Sequence, residues 1–336
     1  MKSAVRLFVV VFLVAAGLLT LLVFYRRLPT GERWRVVSRS DVARIGRLGC
    51  ATEEGELVCD DQSDDERACA LHLASNGEVT RECGDATVMA NNRLVAATRH
   101  PATGYTIGPH HLIVAPACGR SSQLFSNGEA ALGVGWRRVC WGNFTASLAG
   151  EACSVGSSGE HWVVGCHSGL STVTSAGLVT IAEHGKWSVV TSPSGLYAIG
   201  ESDCVRWTTG QRESCTFRCA GELVANGDLV ACSESTETET RVFSLATGAV
   251  VDTVARRSRV RSLSQTHLLY SDGSGRVWLH QIGTPSACDE MVFGTRVGWG
   301  GEGQTIALGP SAAWLLGNQI VVRFAGELVL LQRERR

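Results

Sequence analysis

Cys50-Ala51-Thr52-Glu53-Glu54-Gly55-Glu56-Leu57-Val58-Cys59 reads as two short strands around a two-residue turn. With Glu54-Gly55 as the loop, Ala51 faces Val58 and Cys50 faces Cys59. Gly-containing loops of two to four residues are the favoured hairpin connections. Directly opposed antiparallel residues bring their Cβ atoms to about 4–5 Å, which is the separation a disulfide needs. The same arrangement recurs along the chain. Cys204 faces Cys215 across Thr209-Gly210, and Cys153 faces Cys166 across Gly159-Glu160. Cys69 faces Cys83 across Ser75-Asn76-Gly77, and Cys219 faces Cys232 across a loop from Val224 to Gly227. Cys118 and Cys140 form the loosest pair, so that twelve of the 13 cysteines are absorbed and Cys288 is left over.

Outward from these hairpins the same grammar continues. Runs of four to seven residues rich in Val, Leu, Ile, Trp and Ala alternate with Gly, Asn, Asp or Ser turns. Examples are Thr87–Ala90 with Arg93–Ala97, Trp187–Thr191 with Leu196–Gly200, Leu268–Tyr270 with Arg276–His280, and Ala313–Leu316 with Gln319–Phe324. Past residue 30 no window sustains apolar residues at i, i+3, i+4 and i+7, so helices are not expected there. Many short strands with turns between them indicate an all-β fold. Hairpins beginning at Leu223, Leu268 and Trp314 lie 45 and 46 residues apart, a spacing that suits a four-stranded propeller blade. The expectation is a β-propeller of about seven blades, with six to eight allowed. Tandem β-sandwiches are the alternative. Residues 41–332 then form one domain, and the strand Glu327–Leu331 completes a blade begun near Trp34–Val37, closing the ring and hiding sheet edges. A link at 26–40 precedes the domain and a basic tail at 333–336 follows it.

A family resemblance enters at two short segments. Val139-Cys140-Trp141-Gly142, ending in Gly150, resembles the signature of RCC1-like β-propeller repeats, and Cys69-Ala70-Leu71 with Gly77-Glu78-Val79 and Cys83 resembles the strand pair that precedes it. The two matches cover about 30 of 336 residues. Cys83 is followed by Gly instead of Trp, and Ala146-Ser147-Leu148-Ala149-Gly150 stands where Gly-Gln-Leu-Gly is expected. The resemblance implies a propeller in which the Trp packs between blades, and it implies no activity.

The first 25 residues carry a different signal. From Leu7 to Tyr25 run 19 residues without a charge, after a tail, residues 1–6, holding Lys2 and Arg6, and before Arg26 and Arg27. A helix of about 20 apolar residues spans the hydrocarbon core. The small residues Ala15-Ala16-Gly17 sit mid-run, which argues for an uncleaved signal anchor against a cleaved signal peptide. Membrane attachment through Leu7 to Tyr25 is therefore expected. The flanking charges slightly favour a cytoplasmic body, whereas paired cysteines require an oxidising compartment. The cysteines decide, and the body is expected outside the cytosol, periplasmic or extracellular. Arginine outnumbers lysine 29 to 2, as in GC-rich bacterial coding. The net charge of −1 at pH 7 gives no reason to expect a nucleic-acid partner.

No motif specifies catalysis, a metal or a cofactor. His161 with Cys166-His167 lacks paired metal-ligand spacing. His110-His111 begins a strand, where neighbouring side chains diverge. Cys215-Thr216-Phe217-Arg218-Cys219 is one residue too long for a redox motif. Asp60-Asp61-Gln62-Ser63-Asp64-Asp65-Glu66 lacks the order of a calcium loop and reads as a solvated loop. Ser168 and Ser274 only superficially match protease motifs, and Asn143-Phe144-Thr145 fits a glycosylation acceptor. Arg257, Arg259 and Arg261 would share one face of a strand, open to an anionic partner. The function expected is a membrane-anchored extracytoplasmic module that binds a protein or glycan at the cell envelope. The alternatives are an extracytoplasmic hydrolase or lyase with its site in a central channel, and a cytoplasmic-facing membrane regulator.

Overall fold

The computed structural model describes residues 30–334 apart from short stretches, the longest being 114–122, 234–238 and 300–304. The apolar run from Leu7 to Tyr25, expected to anchor the chain, lies outside the described residues. Among those described, no helix is long and apolar enough to cross a membrane, and a single 3-10 turn, Ser286–Cys288, is the helical content.

The rest is strand, folded mostly as antiparallel hairpins. Four consecutive strands form a sheet at residues 45–84, 152–182, 187–214, 222–254 and 258–293. Between the first two of these, residues 86–113 and 123–147 make two further four-stranded units. They are joined by parallel pairing of Ala86–Ala90 with Gln123–Ser126, with Val88 beside Leu124. The closing unit takes three strands from the C-terminal end, Ala312–Leu316, Gln319–Phe324 and Glu327–Arg333, and its fourth, Trp34–Asp41, from the N-terminal end. That makes eight four-stranded units among the described residues, numbered here first to seventh and closing. A separate hairpin, Arg296–Trp299 with Thr305–Leu308, stands between the seventh and closing units.

Buried side chains say how the units are arranged. Eight apolar clusters occur among the described residues, and each joins one unit to the next. Val58, Ala70 and Leu94 join the first to the second, and Val163, Leu170, Trp187 and Leu196 join the fourth to the fifth. Leu269, Val277, Ile320 and Val329 join the seventh to the closing unit. Leu57 and Leu71 meet Leu316, Val321 and Leu330, which returns from the closing unit to the first. Sheets packed face to face around a closed circuit, each buried on both faces, are a β-propeller. Burial on both faces also explains why strands such as Gln319–Phe324 and Glu327–Arg333 read as nearly continuous apolar runs.

The ring closes as expected from sequence, with Trp34 opposite Arg333 and Val36 opposite Leu331. Residues 34–40, placed at the end of the 26–40 link, are already strand. Thr30 is bridged to Phe293, and the Gly31 amide donates to the Val292 carbonyl at 2.8 Å. Arg333, placed in the basic tail, is likewise inside its strand. The expected spacing of 45–46 residues is not the repeat. First strands begin at residues 45, 86, 123, 152, 187, 222, 258 and 312, so five of the seven intervals lie between 29 and 37 residues. Leu223 and Trp314 lie in first strands, but Leu268 lies in a second strand. Apolar hairpins look alike at either position, and mixing them evened intervals of 36 and 54 residues, the second lengthened by the inserted hairpin, into an apparent 45 and 46.

The cysteine registers hold in detail where the turn is tight. Cys50 opposes Cys59, with Ala51 opposite Val58. Cys69 opposes Cys83 across Ser75 to Gly77. Cys204 is bridged to Cys215, whose amide donates to the Cys204 carbonyl at 2.9 Å. Cys219 and Cys232 are bridged too, but not as opposed residues. Leu223 stands opposite Cys232, and the loop is Gly227-Asp228, not Val224 to Gly227. Gly227 takes a φ of +56°, which lets the hairpin turn in two residues and leaves Cys219 ahead of the strand, reaching in from a Cα distance of 5.9 Å. Cys140 is disulfide-bonded, and Cys118, its expected partner, lies outside the described residues. Cys166 is buried, and Ala152 rather than Cys153 stands opposite it, because a bulge between Ala152 and Ser154 shifts the register. The side chain of Cys153 lies outside the described residues. Cys288 is an exposed free thiol.

Candidate functional site

Three polar constellations interrupt the apolar seams. In the seventh unit His280, fully buried, is held between two carboxylates. Its Nδ1 lies 2.7 Å from Asp289 and its Nε2 2.9 Å from Asp252. Both ring nitrogens therefore have a carboxyl partner, one from each of two units. Tyr270 donates to the second oxygen of Asp289 at 2.5 Å, and the Gly283 amide to Asp252 at 2.6 Å. Burial opposes ionisation of Asp252, but the Gly283 and Thr253 amides and the His280 ring outweigh it and hold the carboxyl below its ordinary range. Asp252 belongs to the outermost strand of the sixth unit, so the cluster is a latch between units, closed to solvent at its centre.

The second constellation joins the fifth and sixth units. Asp228, on the turn after Gly227, accepts from the hydroxyls of Ser192 at 2.8 Å and Ser194 at 2.6 Å. Those hydroxyls, more than the nearby Arg206, hold its carboxyl below the usual value against the effect of burial. Arg206 donates back to the Ser194 carbonyl from Nε at 3.1 Å.

The third is a pocket. At the seam between the seventh and closing units lies a cavity of about 450 Å³, a size that suits a small ligand. Trp34, Leu279, Leu315 and Ile320 supply apolar wall, and Arg33 and Arg333 stand at its edge. The pairing of Trp34 with Arg333 puts these arginines side by side though 300 residues separate them. Both reach toward Glu290, Arg333 at 2.5 Å and Arg33 at 4.0 Å, and each remains about half exposed, at 49% and 48%. His267 also lines the cavity. Burial first, then the positive Arg333 and His280, push its ring below the ordinary histidine value, so it lines the pocket as neutral imidazole at pH 7. Two buried groups of this wall, the Trp34 indole N–H and the Gln319 side-chain oxygen, have no hydrogen-bond partner among the described residues.

None of the candidates named from sequence builds this pocket. Arg259 is exposed and lies 3.8 Å from Glu222. Arg261 is turned to internal use, donating to the Ser271 hydroxyl at 2.9 Å and the Ser311 carbonyl at 3.1 Å. A bulge between Val260 and Ser262 separates the two, and Arg257, the third member of the expected face, lies outside the described residues. The acidic run is also not the solvated loop expected at its start. Asp60 and Asp61 are 1% and 2% exposed, because they continue the buried strand Glu56–Asp61. Asp60 accepts from Thr87 of the second unit at 2.7 Å, and Asp61 pairs with Arg81 at 2.9 Å. Ser274 is a turn residue whose hydroxyl donates to Asp272 at 2.6 Å. His161 and His167 are exposed, and no group of His, Cys, Asp and Glu suited to a metal occurs among the described residues. Trp141, the aromatic of the RCC1-like segment, packs against the cluster joining the third and fourth units.

No protein-family model matches the chain, and no curated protein is detectably similar to it in sequence. Solved propeller structures are similar at low level. The Pan2 WD40 domain of Neurospora crassa is 10% identical, with 92% of this chain and 98% of that one covered and a TM-score of 0.47. A chain of the mitotic checkpoint complex is 12% identical over 92% and 94%, with a TM-score of 0.48. BamB from Moraxella catarrhalis is 11% identical over 88% and 85%, with a TM-score of 0.41. The strand order and the eight inter-unit clusters carry the propeller assignment without them.

The functional residues missed from sequence are those that topology brings together. Arg33 and Arg333 lie 300 residues apart in sequence, Asp252 and His280 lie on strands of different units, and Asp289 follows the 3-10 turn Ser286–Cys288. The one legible signal for the pocket was the expected pairing of the last strand with Trp34–Val37, which implies that the arginines flanking both strands become neighbours.

Proposed function

We propose that this chain is a membrane-anchored, extracytoplasmic β-propeller that works as a binding module at the cell envelope, its partner a protein or glycan. The observation that carries the reading is the combination of disulfide staples with ring closure by the N-terminal strand. Four bridges join strands or strand ends at Cys50–Cys59, Cys69–Cys83, Cys204–Cys215 and Cys219–Cys232, and disulfides persist in oxidising compartments. The strand that closes the ring begins nine residues after Tyr25, the end of the uncharged run, so an anchored N-terminus holds the whole ring at the membrane surface. A ring tied in this way keeps its loops and pocket in fixed relation, the condition under which binding costs little ordering entropy.

Non-reducing peptide mass spectrometry tests the reading, on protein taken from its native membrane with free thiols alkylated first. The expected result is the four bridges intact, Cys288 alkylated, and the body digested by protease added outside intact cells or spheroplasts. Alkylation of all 13 cysteines, with the body protected from external protease, would overturn it.

A further inference from the structure

The chain's two basic ends meet at the seam pocket. Arg33 and Arg333 flank its mouth, Arg35 donates to Gln332 at 3.1 Å beside it, and the Glu334 amide donates to the Arg33 carbonyl at 2.8 Å. In sequence Arg26, Arg27, Arg335 and Arg336 lie within seven residues of these positions, against Glu32 and Glu334. Glu290, with a side chain 15% exposed, sits beneath the two guanidinium groups and orients them. Each guanidinium has five N–H donors in a planar fork, a geometry that matches phosphate oxygens.

Reach adds a second argument. Only residues 26–29 separate Tyr25 from Thr30, which is already bridged to Phe293 of the seventh unit. The five steps from Tyr25 to Thr30 span no more than about 18 Å when fully extended. A membrane holding the run that ends at Tyr25 therefore keeps Thr30, at the edge of the seventh unit, within about 18 Å of the end of that run. The pocket offers what an amphiphile presents there. It has two half-exposed cations at the mouth, neutral His267 and the amides of Gln319 and Asn318 for polar contact, and Trp34, Leu279, Leu315 and Ile320 for apolar contact. The unpartnered indole N–H of Trp34 and side-chain oxygen of Gln319 mark this wall as incompletely satisfied, as buried polar groups seldom are.

We propose that the seam pocket binds the phosphate-bearing headgroup of an anionic phospholipid from the membrane in which the chain is anchored. The proposal rests on the anchor reading given above. The lipid fixes the tilt of the ring against the bilayer, so that the loops of one face are presented consistently to a partner.

The test is native mass spectrometry of the full chain, purified and delipidated in a non-ionic detergent, during titration with phosphatidylglycerol, phosphatidylcholine or inorganic phosphate. Phosphatidylglycerol is expected to bind in preference to phosphatidylcholine. The double variant Arg33→Gln, Arg333→Gln is expected to weaken it about thirtyfold, from about 1 kcal/mol per arginine at an anionic surface. Lys at both positions, which keeps the charge but not the fork, should restore only part of the binding, and Arg35→Gln should leave it within a few-fold of wild type. Equal binding of the two lipids, or an unchanged affinity in the double Gln variant, would overturn the proposal. Phosphate that competes at the lipid's own affinity would also overturn it, making this a site for free anions. If the double variant does not fold, the wild-type Tm decides, because equal stabilisation by both lipids sinks the idea. Alkaline carbonate extraction of native membranes separates the two claims: release of the chain refutes the anchor, whereas the titration reads the pocket whether or not the anchor stands.

Discussion

The first and seventh units are built alike and held differently. Each is four antiparallel strands wedged between neighbours by apolar clusters. The first is stapled by Cys50–Cys59 across its inner hairpin and Cys69–Cys83 across its outer one. The seventh has no disulfide among its described residues, and its cysteine, Cys288, is an exposed thiol. It is latched by His280 between Asp252 and Asp289, with Tyr270 on Asp289 and Trp278 on Asp272. A disulfide acts mainly by narrowing the unfolded ensemble, so it is indifferent to mild acid and sensitive to reductant. A buried charge cluster acts in the folded state; it is indifferent to reductant and yields only to acid strong enough to protonate its carboxyls, and its removal leaves charges stranded.

Breaking the latch should produce the largest effect. His280→Ala leaves Asp252 and Asp289 facing a void, and removal of one partner from a buried charged set typically costs about 3–5 kcal/mol. Chemical denaturation is expected to show a loss of that order. The control is the triple variant His280→Leu, Asp252→Asn, Asp289→Asn, which removes the charges together and should recover a large part. If His280→Ala costs less than about 1 kcal/mol, the cluster is not a latch and the contrast between the units fails.

Replacing Cys69 and Cys83 together by Ser should come next. The bridge spans a sequence separation of 14, for which the chain-entropy argument gives about 3 kcal/mol. The registers Cys69 opposite Cys83 and Leu71 opposite Arg81 should survive, because Leu71 and Leu73 are buried independently of the bridge.

Acid and reductant should then pick out different units. Asp252 and Asp272 are held below their ordinary values, burial opposing and the Gly283 amide and His280 ring at the first, and the Ser274 hydroxyl and Trp278 indole at the second, prevailing. A depressed carboxyl contributes stability that is present above its unfolded value, about 3.9, and lost as pH falls through its folded value. Hydrogen exchange corrected for intrinsic rates should therefore show residues 250–281 loosening first in acid. Residues 45–84 should loosen first under reductant at pH 7. Simultaneous loosening under both treatments would mean that the ring unfolds as one unit and that the local ties do not matter separately.

The two kinds of tie were unequally visible in the sequence, for a reason of range. Cys50 and Cys59 lie on adjacent strands of one hairpin, so a turn residue and a count of two fix their register. The ring closure was visible because Glu327–Leu331 and Trp34–Val37 are the strands left over at either end. Cys219 misled because a two-residue turn at Gly227-Asp228 and a four-residue loop place equally plausible residues opposite one another. Asp252, His280 and Asp289 carried no signal at all, since nothing local says that the outermost strand of one unit touches the third strand of the next. The same holds for Asp60, which reads as the head of an acidic loop until Thr87 of the neighbouring unit is seen to bond it.

The smallest effects test whether a surface charge belongs to the frame. Arg261 and Arg259 are two residues apart, yet their surroundings differ by a bulge. Arg261 is partly withdrawn from water, which pushes its pKa down, and it bridges Ser271 of its own unit to the Ser311 carbonyl before the closing unit. Arg261→Gln should cost about 1–2 kcal/mol through the partners it leaves. Arg259 has 71% of its side chain exposed and lies 3.8 Å from Glu222, itself 47% exposed. Water and salt screen a pair so placed, and exposed pairs of this kind contribute at most about 1 kcal/mol. Arg259→Gln should therefore change the denaturation midpoint by an amount worth less than about 0.5 kcal/mol, with the difference vanishing in 1 M salt. A larger, salt-resistant loss would mean that Arg259 is tied into the seam between the sixth and seventh units, and that both arginines belong to the frame.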